Sequence, residues 1–336
     1  GGAPLTVTTT VGNSITVAVP TNISGTFIYN LLSVQDASST TCSQNQTGNS
    51  VVTVHPLPVI NFTNSTPSCE TRDILFTDNS NPLVGTLTNW AWNFGDPGSG
   101  ANNTSTLQNP THTFSTAGNY TVSLNVITSN FCTNAAAFTR IVTINDRPLA
   151  GYIIPEVCLS DTYAQFLDTS KVANGGITAW DWNFGDPFAT IPNPNTSTLQ
   201  NPQHSYTAVG TYPVQLIATS NLGCKDTIIQ NLVINGSFPV ANFTVNNPTT
   251  LCANDSVAIV NTSTVFPGTI TKVEIYWDNV NFPSVFELDN NPFSGKVYKH
   301  KYNNFQAPLT QTFTIRYRAY SGGICVNDRI STITVN

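Results

Sequence analysis

The 336-residue sequence predicts an all-β chain, a tandem array of β-sandwich domains set end to end. Three observations predict it. One tryptophan strand, Trp90-Ala-Trp92-Asn93-Phe94-Gly95-Asp96-Pro97, returns 90 residues later as Trp180-Asp-Trp182-Asn183-Phe184-Gly185-Asp186-Pro187, and a worn copy stands at Ile275-Tyr276-Trp277-Asp278-Asn279. Apolar residues alternate after each Gly-x-Tyr, as in Gly118-Asn-Tyr120-Thr-Val122-Ser-Leu124, the pattern of a strand with one buried face. Six of the seven cysteines form a regular series, two per repeat.

The tryptophan strand sends Trp92 and Phe94, or Trp182 and Phe184, into a core and ends in a sharp Gly95-Asp96 or Gly185-Asp186 turn. Such a repeat, near 90 residues, marks an array of small domains. The boundaries fall where a strand is followed by proline: Val54-His-Pro56, Ile144-Asn-Asp-Arg-Pro148 and Ile234-Asn-Gly-Ser-Phe-Pro239. They divide the chain into 1–57, 58–146, 147–235 and 236–336. Short proline-containing links predict an extended, stiff array.

Residues 1–57 read as strands at 5–8, 14–17, 26–29 and 51–54. Gly25-Thr-Phe27-Ile-Tyr29 matches the register of Gly118-Asn-Tyr120, so this part reads as a partial or shortened domain in which Cys42 takes the place of Cys132. The chain starts in mid-pattern and is read as a segment of something longer.

Only 9% of the residues are charged, against roughly a quarter in an ordinary domain, so Thr, Ser and Asn must cover the surface. The net charge of −6 carries no basic stripe, which argues against nucleic acid. No apolar run reaches the ~20 residues of a membrane-spanning helix.

The cysteines predict one disulfide per domain: Cys69 with Cys132, Cys158 with Cys224, and Cys252 with Cys325, separated by 63, 66 and 73 residues. Each pair brackets its tryptophan strand, and the arrangement implies an oxidising, extracellular setting. The spacings are too long for zinc-ribbon pairs. Cys42 is left without a partner in this chain.

Trp-x-Phe-Gly-Asp, then Asn-Pro-x-His-x-Phe/Tyr (109–114 and 201–206), then Gly-x-Tyr-x-Val together resemble the PKD domain, an Ig-like β-sandwich first described in polycystin. The resemblance is close over 58–235 and weaker over 236–336, where Trp277, His300-Lys-Tyr302 and Phe313-Thr-Ile315 stand at matching places. It implies a module of large secreted adhesins or surface-layer proteins, or a companion of catalytic domains in secreted hydrolases. The absence of Met, the Thr/Asn richness and the cysteine pairs are similar to giant bacterial surface adhesins.

His112, His204 and His300 fall in one register, once per domain. A catalytic residue is rarely copied into every repeat, so they read as hydrogen-bonded strand-end residues and no residue is assigned to catalysis. Asp96 and Asp186 suit Asx-type turns. The resemblance adds calcium as a sharper reading, with Asp78 and Asp168 nearby, although two carboxylates fall short of the six to eight oxygens calcium takes. No other cofactor is expected.

Trp90 and Trp180 alternate with the core tryptophans and either cover the sheet or offer stacking faces to sugars. The function expected is non-catalytic: to space, display or link parts of a cell-surface protein. The alternatives are a carbohydrate- or protein-binding accessory module and a subunit of a surface filament. The expected partners are neighbouring domains of the same chain, surface glycans and other cell-surface proteins.

Overall fold

The computed structural model describes residues 4–9, 14–36, 40–246, 250–252, 255–302 and 310–336. Two compact units emerge, Gly1–Asn145 and Asp146–Asn336, and each is taken by itself.

In the first unit, residues from 59 onward form a two-layer sandwich. One sheet orders Phe138–Ile144, Gly118–Thr128, Leu87–Asn93 and Thr104–Ser105; the other orders Phe62–Asn64, Asp73–Asp78 and Thr111–Thr113. Gly118–Thr128 shows how the sequence makes the layer, because its alternating Val122, Leu124 and Val126 are fully buried. They meet Trp92, Phe94, Phe62, Phe76 and Phe114 in one core.

Earlier in the unit, Gly25–Asn30 pairs with Asn49–Val54, and Ser33–Gln35 with Ser43–Asn45. The register Gly25↔Val54 is that of Gly118↔Ile144 and Gly210↔Ile234 in the full sandwiches. Ile28, Leu31, Leu32 and Val34 stay exposed on this hairpin. The strands expected at 5–8 and 14–17 do not form, since those residues carry no ladder. A strand is stable only beside a hydrogen-bonded neighbour.

The second unit holds two cores. One, built on Trp182, Phe184, Phe166 and Leu216, belongs to a sheet ordered Thr196–Ser197, Ile177–Asn183, Gly210–Ser220, Lys225–Ile234. The other, around Ile275, Trp277, Tyr298 and Tyr317, lies between a five-stranded and a three-stranded sheet.

Pairing across the sheet aligns the third tryptophan strand. Trp92 faces Leu124, Trp182 faces Leu216, and Ile275 faces Tyr317. Trp277 therefore occupies the place of Phe94 and Phe184. The large ring has moved from one strand to its partner, a swap that roughly conserves the pair's volume.

The cysteines depart from the expected pairing. Cys158 is bonded to Cys325, 167 residues away, with Cα atoms 5.5 Å apart. Cys42, Cys132 and Cys252 are free. The pairs Cys69–Cys132, Cys158–Cys224 and Cys252–Cys325 are thus excluded.

The geometry supplies the reason, because the two cysteines of a domain lie at opposite ends of it. Cys158 adjoins the exit of the last strand, where Leu159 N–H donates to Gly236 O at 2.9 Å. Cys224 closes the far hairpin turn, its carbonyl accepting from Ser220 N–H at 2.8 Å. The ladder between them runs from Gly210↔Ile234 to Thr219↔Lys225, roughly 30 Å at the rise of a strand, whereas a disulfide needs Cα atoms within about 7 Å. The same holds elsewhere. Cys69 bridges to Asn145 past the last strand, while the Cys132 carbonyl accepts from Thr128 N–H in the hairpin. Leu251, beside Cys252, pairs with Val335, while Cys325 precedes Val326 at the other end of that strand.

Trp182 is 2% exposed and donates its indole N–H to Leu199 O at 2.9 Å. Trp182→Ala is expected to cost ~3–5 kcal/mol, as large-to-small core changes do. Urea denaturation checks this, and a loss under about 1 kcal/mol would contradict the packing.

Candidate functional site

The feature repeated from domain to domain lies at the end of the tryptophan strand. Gly95 adopts φ 70°, and a Cβ there would sit 2.5 Å from Thr121 O. Gly185, at φ 66°, would meet Pro213 O at 2.7 Å. Only glycine fits both the left-handed backbone and the close approach. The turn swings the following aspartate back into the sandwich, where Asp96 and Asp186 are buried.

There each carboxylate meets a buried histidine. His112 Nε2 lies 3.1 Å from Asp96 Oδ2, and His204 Nε2 lies 3.0 Å from Asp186 Oδ2. Each imidazole stacks on the strand's phenylalanine, Phe94 at 4.3 Å and Phe184 at 4.4 Å between centroids. Asn103 and Asn195 accept the backbone N–H of Asp96 and Asp186 at 2.7 and 2.8 Å, which ties the long loop to the turn. These asparagines lie inside the repeated Asn-Thr-Ser-Thr-Leu-Gln-Asn-Pro stretch, whose recurrence was the signal for them.

A second lock lies on the outer side of the strand. Trp90 donates its indole N–H to Asp78 Oδ2 at 2.7 Å, and Trp180 to Asp168 Oδ2 at 2.8 Å. Asp78 and Asp168 also accept from Ser80 and Ser170 N–H, both at 2.9 Å. Both tryptophans are half-buried and packed against their cores. The four carboxylates considered for calcium thus serve two different sets of protein donors, one Trp/Ser and one His/Asn. Among the described residues no group of three or more His, Cys, Asp or Glu side chains is placed to hold a metal.

In the third of the full sandwich domains, residues 236–336, the arrangement is altered. His300 stacks on Trp277 at 4.9 Å, and Tyr302 donates its hydroxyl proton to Trp277 O at 2.7 Å. Asn279 takes the place of the aspartate, and its Oδ1 is buried without a hydrogen-bond partner among the described residues. Trp277 donates instead to Glu287 Oε2 at 3.0 Å.

On the outer face of that sheet Glu274 accepts from Tyr276 and Tyr320 hydroxyls, at 2.9 and 2.8 Å, and from Lys272 Nζ at 3.0 Å. Burial alone would push its carboxyl up, but the three hydrogen bonds together outweigh it and hold it below the usual range. Tyr276 is pushed up to about 12, first by burial and then by Glu274. His300 is held below its ordinary value by burial, with Glu287 opposing.

A model of the PKD domain family matches residues 55–143 and 145–234. The chain belongs to the PKD domain family. The crystal structure of the PKD1 domain of Vibrio anguillarum Epp is 30% identical over 27% of this chain and 95% of its own, with a TM-score of 0.23. The PKD1 domain from the Vibrio cholerae metalloprotease PrtV is 31% identical over 26% of this chain and 96% of its own, with a TM-score of 0.22. Fibronectin(III)-like modules of Clostridium thermocellum CbhA are 13% identical over 56% of this chain and 92% of their own, with a TM-score of 0.37. PKD domains are typically extracellular, non-catalytic modules of surface or secreted proteins. No helix among the described residues is long and apolar enough to cross a membrane.

In the PKD domains the Asp–His pair is an internal brace, and removing one partner strands the other. Asp186→Ala is expected to lower stability by about 1–3 kcal/mol, the cost of a buried polar group left unmatched. Urea melts of the variant and of Asp96→Ala check it; two melts unchanged from the parent would contradict the brace.

The third domain should weaken in acid. The folded His300 resists protonation, so its contribution is complete above its unfolded pKa of ~6.5 and shrinks as pH falls below that. Glu274 has a depressed folded pKa, so its contribution is lost only further down, as pH falls through that folded value. Hydrogen exchange across 256–302 should quicken as pH drops from 7 to 5 once the intrinsic exchange rate is corrected for, and His300→Phe should remove that step. An equal pH response in parent and variant would contradict the assignment.

Proposed function

We propose that the chain is a non-catalytic extracellular segment that spaces, displays or links parts of a large cell-surface protein of the adhesin type. The observation that supports this best is the fate of the groups that chemistry would need. The Asp–His pairs recur in both PKD domains, are buried, and meet each other inside the fold, Nε2 against Oδ2. A site open to substrate would leave at least one such group turned towards solvent. The role needs no cofactor, and its partners are neighbouring domains and other surface molecules.

The carbohydrate-binding alternative needs free aromatic faces, and Trp90 and Trp180 are committed to the sheet and to Asp78 and Asp168. Antibodies against the chain are expected to label intact, unpermeabilised cells of its source, and the purified chain to give no saturable signal on a glycan array. Labelling only after permeabilisation would refute the surface role, and saturable glycan binding would favour the accessory-module reading.

A further inference from the structure

We propose that the Cys158–Cys325 bridge makes residues 146–336 one load-bearing link, in which tension applied across the unit passes through the disulfide and bypasses residues 159–324. Cys158 lies near the start of the first sandwich of this unit and Cys325 near the end of the second. Almost all of both cores therefore falls inside the closed loop. The covalent route from Asp146 to Asn336 runs along the chain to Cys158, across the sulfurs, and along the last strand.

That last strand, Val326–Val335, suits the role. It is paired along its whole length with Gln311–Tyr320, and its two ends are the two points of loading. A strand already rises ~3.3 Å per residue, against a limit near 3.6 Å, so it has little length to yield and no need to slide past its neighbour. At the other end, Leu149 bridges to Lys171, and Tyr152–Ile153 pairs with Leu167–Asp168.

The junction inside the loop is reinforced by contacts that the disulfide holds in place. Gly236 bridges to Gly268, Ser237 N–H donates to Pro267 O at 3.2 Å, and the Ser321 hydroxyl donates to Ser237 O. These bonds tie the hairpin end of the second sandwich to the exit of the first. The spacer role proposed above leaves open how tension is borne, and the clasp answers that; this inference rests on that role only for the origin of the load.

The test is force spectroscopy on the full chain, with bio-orthogonal handles at positions 146 and 336. Non-reducing peptide mapping first establishes the bond. In the oxidised protein the releasable length is confined to the two short segments outside the clasp, roughly 80 Å at full extension. Reductant should release the further 166 residues between the cysteines, about 600 Å more. Cys325→Ser should likewise lose the short-length limit without reductant, and Cys252→Ser should behave like the parent. If Cys325→Ser does not fold, reduction of the folded parent under load gives the same comparison. Long steps in the oxidised parent, a trace unchanged by reductant, or a Cys158–Cys224 peptide in the map would each overturn the clasp. Failure of cell-surface labelling would instead remove the spacer reading and leave the clasp standing.

Discussion

Each PKD domain depends on one strand that buries two large rings on the same face and then turns back within two residues. Trp92 meets Phe62 edge-on at 5.1 Å, and Phe94 packs on Phe76 at the same distance; Trp182 repeats the first contact with Tyr152 at 5.0 Å. Aromatic side chains bury more apolar area than any others, so these few residues dominate the core of a small sandwich. The turn matters as much as the rings. Gly95 or Gly185 lets the chain pass close against the neighbouring strand, and only then can the aspartate reach the histidine two strands away.

The brace and the core are mechanically one object. The imidazole lies flat on the phenylalanine ring, within 7° of parallel in one domain and 14° in the next, while its nitrogen meets the carboxylate. A buried carboxylate is costly unless it is hydrogen-bonded, so the pair is tolerated only where sheet, turn and loop converge to satisfy it. The third domain keeps the stack, with Trp277 under His300, but replaces the aspartate with Asn279. It compensates elsewhere, with Tyr302 on the strand's carbonyl and Glu287 on the indole. The same frame thus accepts a different polar solution when the ring sizes change.

Scarcity of charge shapes the rest. With charged side chains at 9%, turns and loops are fastened by Asn, Ser and Thr, whose short side chains cap backbone N–H groups locally. Within residues 146–336 the disulfide adds a covalent tie to these polar ones: closing a loop of sequence separation 167 is worth about 5 kcal/mol on the chain-entropy view, for loss of structure in both sandwiches together.

By itself the sequence determined the fold class, the repeat and the tryptophan strand, because burial period and turn chemistry are local properties that survive in a linear string. The glycine before each aspartate and the recurring histidine were legible for the same reason. Trp277 is buried as expected, but its place was not legible, since pairing with the distant strand Gln311–Tyr320 sets it two residues further on, where Phe94 and Phe184 stand. Nor was the role of Asp78 and Asp168 as acceptors for Trp90 and Trp180, which depends on a contact between sheets. The disulfide pairing was beyond the sequence altogether. Each domain carries one cysteine at either end, and a string of such domains reads identically whether the bonds close within domains or across junctions. Only the length of the strands between the two ends, too great for sulfurs to meet, decided that Cys158 reaches forward to Cys325.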